Sequence, residues 1–272
     1  MKPNLATEIS RLHLGVCLLL LGAACTASSA WAQGLSPTPT QAPTQVSTPA
    51  PTPAPTPAAV QDFSAAERLL FMNRHLADVR PPATLRYSLR KAGSLEEGFE
   101  DRVSVVLNAQ RDGGCCAARG EFMTGARRLP LPDIEGADGN PVVMYFLEHD
   151  VREMQRLTKG NQNHFRKRIR MAVYNAATVS EVRLNYRGRE VAGKMVSFAP
   201  YLDDPNRPRY QNLARKEYRF LLADAVPGGV FGIQTRVAAE AVAGAAGASE
   251  TPLVTEELWL EGAQALAFKA LP

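Results

Sequence analysis

Cysteine, histidine and tryptophan are scarce in this chain, with four, four and two copies among 272 residues, and no charge sign dominates. Its 31 Lys+Arg stand against 27 Asp+Glu. That balance excludes a disordered polyelectrolyte, and it supplies no concentrated basic face for a nucleic-acid partner. The chain also lacks a run of apolar residues long enough for several membrane spans, which need roughly 20 residues each. Missing too are a Gly-x-Ser-x-Gly elbow, a Walker loop and a Cys-x-x-Cys pair. Their absence removes the motif-bearing serine hydrolases, the nucleotide hydrolases and the common zinc modules.

What is present first is an export signature. Lys2 and Arg11 precede a short apolar stretch from Leu14 to Ala24, and Ala30-Trp31-Ala32 is a small-x-small cleavage site. The first 32 residues therefore read as a signal peptide, with Gln33 as the mature N-terminus and a periplasmic location. Two alternatives stay open: an uncleaved signal acting as an anchor, or lipidation of Cys25 within Leu21-Gly22-Ala23-Ala24-Cys25. Association with the membrane would follow only from one of these. Loss of residues 1–32 leaves three histidines, the adjacent Cys115 and Cys116, and a charge close to neutral.

From Ser36 to Ala58 the chain carries eight prolines in 23 residues, with no charge and no aromatic ring. Repeated Thr-Pro and Ala-Pro favour polyproline II, so residues 33–60 read as a disordered, semi-rigid linker. The remaining residues, 61–272, suffice for one globular domain.

Within that domain Ser64-Ala65-Ala66-Glu67 is a capping box, and Leu69, Leu70, Asn73 and Leu76 predict a helix of about four turns up to Pro81. The period then changes to two. Leu85, Tyr87 and Leu89, then Val103, Val105 and Leu107, alternate with polar residues, and a third strand follows the Asp112-Gly113-Gly114 turn. Next come two helices, one opened by Asn140-Pro141 and closed at Gly160, the other carrying Phe165, Ile169, Val173 and Ala176. Strand alternation returns after Thr178 in five segments, with an Ala/Gly-rich connection from Ala238 to Thr251. The order helix, strands, two helices, strands predicts an α+β domain, not a doubly wound sheet. Its core is a curled, half-barrel-like antiparallel sheet of seven or eight strands with a two-helix insertion. In export and in order of elements it resembles the curled half-barrels of periplasmic lipoprotein carriers. That resemblance implies carriage of an apolar or amphiphilic ligand.

Phe165-Arg166-Lys167-Arg168-Ile169-Arg170 is the sharpest local feature. Phe165 and Ile169 share the core-facing side, while Arg166, Lys167 and Arg170 spread over the opposite side. If the two helices fold back as a hairpin, Arg152 and Arg156 join them. These five cations form a candidate site for an anion such as a lipid or lipopolysaccharide phosphate, or for an acidic envelope protein; the alternative is a solvated, salt-bridged helix face in which Glu148, Asp150 and Glu153 neutralise them. Other candidates are weaker. His149 and Glu153 stand at i, i+4 without the second histidine that a zinc site would need. Asp203-Asp204 is a carboxylate pair in a loop, and Cys115 and Cys116, at 3.8 Å between α-carbons, read first as two thiols, with a vicinal redox pair or an intermolecular disulfide as the alternative. No cofactor or metal is implied. The leading expectation is a non-enzymatic envelope protein that binds an amphiphile or a protein; the alternative is a periplasmic hydrolase without a recognisable motif.

Overall fold

The computed structural model describes residues 62–111, 114–239 and 251–268. The expected signal peptide, Cys25, the proline-rich linker, the Asp112-Gly113 turn and most of the Ala/Gly-rich connection lie outside these residues. Eight strands form one curled, unclosed antiparallel sheet in the order β3-β2-β1-β8-β7-β6-β5-β4. They are β1 (Ala83–Ala92), β2 (Phe99–Ala109), β3 (Cys115–Phe122), β4 (Thr178–Tyr186), β5 (Arg189–Phe198), β6 (Glu217–Leu222), β7 (Val230–Val237) and β8 (Val254–Leu260). Two helices between β3 and β4, α2 (Val142–Thr158) and α3 (Gln162–Asn175), and two short ones, α1 (Ala65–Glu67) and α4 (Arg207–Tyr210), complete the α+β domain.

Period-two patterning settles the faces of β1 and β2. Leu85, Tyr87 and Leu89 are buried with Val103, Val105 and Leu107, while Arg86, Ser88 and Arg90 point away. The seam between the N-terminal hairpin and the last strand is continuous, with Tyr87 opposite Leu260 and Lys91 opposite Glu256. In β6 and β7 the alternation is lost because both faces are covered. On the outer face the segment after β8 lies across them. Gln234 donates to the Leu266 carbonyl at 2.9 Å, and the Arg219 guanidinium sits 4.0 Å above the Phe268 ring.

Helix α2 occupies the inner face. Val142, Val143, Phe146, Val151 and Met154 are buried, and the Tyr145 ring lies so close to β3 that a Cβ on Gly120 would come within 2.2 Å of it. The hollow of the curled sheet is thus filled by the protein's own helix. Apolar side chains at this spacing, each worth about 1.5–3 kcal/mol when fully buried, hold the helix there. Asn140 fastens its start: the side-chain amide donates to Tyr87 Oη and to the Gly228 carbonyl, both at 2.8 Å, and its Oδ1 accepts from the Val142 N–H.

Three local expectations are corrected. The N-terminal helix is shorter than four turns. Its capping box is formed, with Ser64 Oγ accepting from Glu67 N at 3.1 Å, but after Glu67 the chain winds into a π turn (Arg68–Met72) and becomes extended at Asn73. The buried His75 ring bonds the Leu69 carbonyl at 2.8 Å, and its Nδ1 accepts the Asn140 N–H at 3.2 Å, so a clasp to α2 replaces the last helical turns. At the end of α2 it is Lys159 that takes the left-handed conformation (φ 57°). Gly160 is required for space, since a Cβ there would stand 2.4 Å from Phe165 Cζ. Finally, Cys115 and Cys116 are joined to each other across a cis peptide, with α-carbons 3.1 Å apart.

Candidate functional site

The hairpin of α2 and α3 brings the five predicted cations to one side of the domain but gives them different neighbours. Asn161 caps α3, its Oδ1 accepting from Asn163 N and His164 N, and buried Phe165 and Ile169 fix the helix rotation. Arg166 then grips Glu148 of α2 with three hydrogen bonds, at 2.9, 3.0 and 3.1 Å, and also donates to Asn163 and Gln162. Arg152 approaches the same Glu148 at 3.1 Å. Burial raises the Glu148 carboxyl, but the bonds from Arg166 and Arg152 outweigh it and hold the group below the usual carboxylate range. Arg156 binds Glu96 at 2.7 Å and Glu153 at 2.9 Å. Lys167 and Arg170 have no ion pair among the described residues, so two of the five cations keep their charge available.

Those two stand at the rim of a groove. Phe71 from the π turn, Met144, Leu147 and Val151 from α2, and Ile169 from α3 form its floor, and it encloses about 570 Å³. Met144 is 56% exposed and Phe71 39%. An adjoining depression shares Glu67 and Arg170 and is lined by Phe63, Met171 and Tyr174. Five of the ten large apolar side chains left exposed among the described residues therefore line these two depressions. Concentrated apolar surface of this kind marks an interaction site.

Beneath α2 lies a second cluster, which sequence reasoning missed. Asp150 is fully buried, forms a short ion pair with Lys216 Nζ and accepts from Tyr218 Oη at 2.5 Å; Tyr201 Oη lies 3.3 Å further on. Glu256, also buried, is 3.2 Å from His149 Nε2 and 3.6 Å from Lys216. Lys91 joins it to the rim, at 2.7 Å from Glu153 and 3.1 Å from Glu96. For Lys216, Glu256 and Glu153 burial opposes the charge, and the partners win. Lys216 is raised by Asp150 and Glu256, Glu256 is held well below the carboxylate range by Lys216, His149 and Lys91, and Glu153 is brought to about 2 by Arg156 and Lys91. A signal was available: Lys91 continues the inward series Leu85, Tyr87, Leu89, and Glu256 sits between the inward Val254 and Leu258.

The other candidates do not assemble. Asp204 is buried against His164 at 2.7 Å and Arg168 at 3.5 Å, while Asp203 is exposed, so the two carboxylates do not converge. His149 turns to Glu256 and Glu153 to Lys91 and Arg156, so their donors are engaged separately. A cleft of about 490 Å³ reaches His149 and Lys91, but the side chains lining it include no hydroxyl or thiol. No helix among the described residues is long and apolar enough to cross a membrane. Comparison with protein families and with curated proteins finds no match for this chain, so its function is argued from the geometry of the α2–α3 face.

Proposed function

We propose that the protein is an exported, non-enzymatic binding protein that takes an anionic amphiphile in the groove between the π turn, α2 and α3. The supporting observation is the pairing of an apolar floor with Lys167 and Arg170, the two cations without an ion pair among the described residues. An acyl chain lies on Phe71 and Met144, and a phosphate or carboxylate head meets the rim. Arg166 serves differently, because its fork is occupied by Glu148 and it fixes α3 to α2. The filled hollow of the sheet moves binding to the helical side, away from where a half-barrel carrier would hold its cargo. The hydrolase alternative rests on the cleft that reaches His149 and Glu153, and there the imidazole is engaged by Glu256 and the carboxylate by Lys91 and Arg156.

Calorimetric titration with dodecyl phosphate and with the neutral dodecyl maltoside, both below micelle formation, tests this reading. The anionic probe binds, its affinity falls with salt because exposed charges are screened over about 10 Å at 0.1 M, and K167E/R170E weakens it at least tenfold. Binding of neither probe sinks the proposal, and equal binding of both removes the headgroup role of the two cations. Lipid and lipopolysaccharide sources are distinguished by comparing phosphatidylglycerol with lipid A as competitors. Intact mass of protein from the native envelope tests export: a chain beginning at Gln33 supports cleavage, and a diacylglycerol on Cys25 overturns it.

A further inference from the structure

The two edges of the sheet are treated differently. Along β3 the loop that follows covers the outer edge, with Ala118 bridged to Ile134 and Phe122 to Leu129 through backbone hydrogen bonds of 2.8–2.9 Å. At the opposite edge β4 is bonded to β5 along its whole length, and its other side is engaged only at the far end. There Arg187 N donates to the Gly262 carbonyl and Gln264 N to the Asn185 carbonyl. Among the described residues no backbone bond beyond the β5 ladder reaches Thr178–Leu184, and Thr178, Val179, Ser180 and Glu181 are all exposed, although α1 packs nearby.

Free edges invite pairing with another strand and are normally blunted by proline, a bulge, a cover or like charges. Segment 178–184 has no proline and no irregularity in its register. Its charges, Glu181 and Arg183, are of opposite sign and two residues apart on one face. Laid antiparallel against a copy of itself about Val182, the strand places each Glu181 opposite the other copy's Arg183. Val182 then faces Val182, and Ser180 faces Leu184. Opposite charges directly across an antiparallel pair attract and like charges repel, so this order favours self-pairing. The internal competitors are weak. Arg183 lies 3.7 Å from Glu190, with both side chains about 70% exposed, and Glu181 stands opposite Lys194 without an ion pair.

We infer that residues 180–184 of β4 pair antiparallel with the same residues of a second copy about Val182, joining two eight-stranded sheets edge to edge in a twofold dimer whose shared ladder ends where residues 262–264 already hold Asn185 and Arg187. A closed, isologous contact of this kind uses up both free edges and stops at two.

Sedimentation analysis of the full chain at up to about 100 μM, a concentration that populates even weak dimers, reads the outcome. Wild type dimerises. E181R and R183E each weaken the dimer at least tenfold, because each sets like charges opposite one another twice. An equimolar mixture of the two variants restores it, since each strand supplies the sign its partner needs, and the double variant E181R/R183E dimerises alone. Thermal unfolding of the monomers confirms that the substitutions leave the fold intact. A monomeric wild type overturns the inference, as does a dimer indifferent to both single changes. Failure of the mixture to recover overturns the Val182 register.

Discussion

Two sets of charges lie on opposite sides of α2, and they differ in how they are satisfied. Under the helix, Asp150, Lys216, Glu256 and Lys91 are buried and matched with one another. Over the α3 face, Lys167 and Arg170 remain in water beside exposed apolar side chains. The first arrangement spends its electrostatics on positioning helix and sheet, and the second leaves it free for a ligand. Charge count alone would not separate them, whereas burial and partner do.

The most damaging test of this contrast is to remove one member of the buried set. Lys216→Met leaves Asp150 charged and unpaired in the core and is expected to cost about 3–5 kcal/mol, read as a lower denaturation midpoint. Asp150→Leu combined with Lys216→Met recovers much of that loss. A small effect from the single substitution would show that water reaches the pair. Next in size is Ile169→Ala on the core side of α3, expected to cost about 2–5 kcal/mol by leaving a cavity.

Acid separates the groups by pH window. Burial holds the His75 imidazole below its usual 6.5, so the unfolded chain binds its proton first. Stability from this group is complete above pH 6.5 and declines as pH falls from there. Glu153, at about 2 in the fold, and Glu256, lower still, add a second decline that begins near their ordinary 4.5. Midpoints measured from pH 8 to pH 3 therefore show two stages, and His75→Gln removes the upper one. A profile flat between pH 7 and 5 would argue against the clasp. Smallest is the effect of K167E/R170E on stability, expected within about 0.5 kcal/mol because both side chains are solvated. A large loss would place these residues in an internal network and end the contrast.

Much of the sheet was legible because burying one face imposes a period of two, and the α2–α3 hairpin because its apolar stripe repeats at helical spacing. Phe165 and Ile169 are buried and Arg166, Lys167 and Arg170 lie outward, as their spacing implied. Less was legible where partners are distant in sequence. The acidic residues of the preceding helix were a visible counterweight to the cluster, and Glu148 does occupy Arg166, but nothing local announces that Glu96 will reach Arg156 across 60 residues. The buried network escaped notice because a charged residue inside a strand reads as solvent-facing. Lys91 and Glu256 break that habit by facing one another on neighbouring strands. The shortened first helix had a similar cause, a histidine clasp with a partner 65 residues away.

The β1–β8 seam has a consequence for how the chain reaches its fold. It joins residues 87–92 to 255–260, near opposite ends of the domain in sequence, yet it lies in the middle of the sheet. A chain delivered N-terminus first can close the β1–β2–β3 and β4–β5–β6–β7 hairpin runs from neighbouring segments, but the central ladder waits for nearly the last residues. Until then β1 offers an open backbone edge beside its apolar face, the state in which an incomplete sheet aggregates. The interval before β8 arrives is therefore the stage at which the β1 edge is open to the wrong partner.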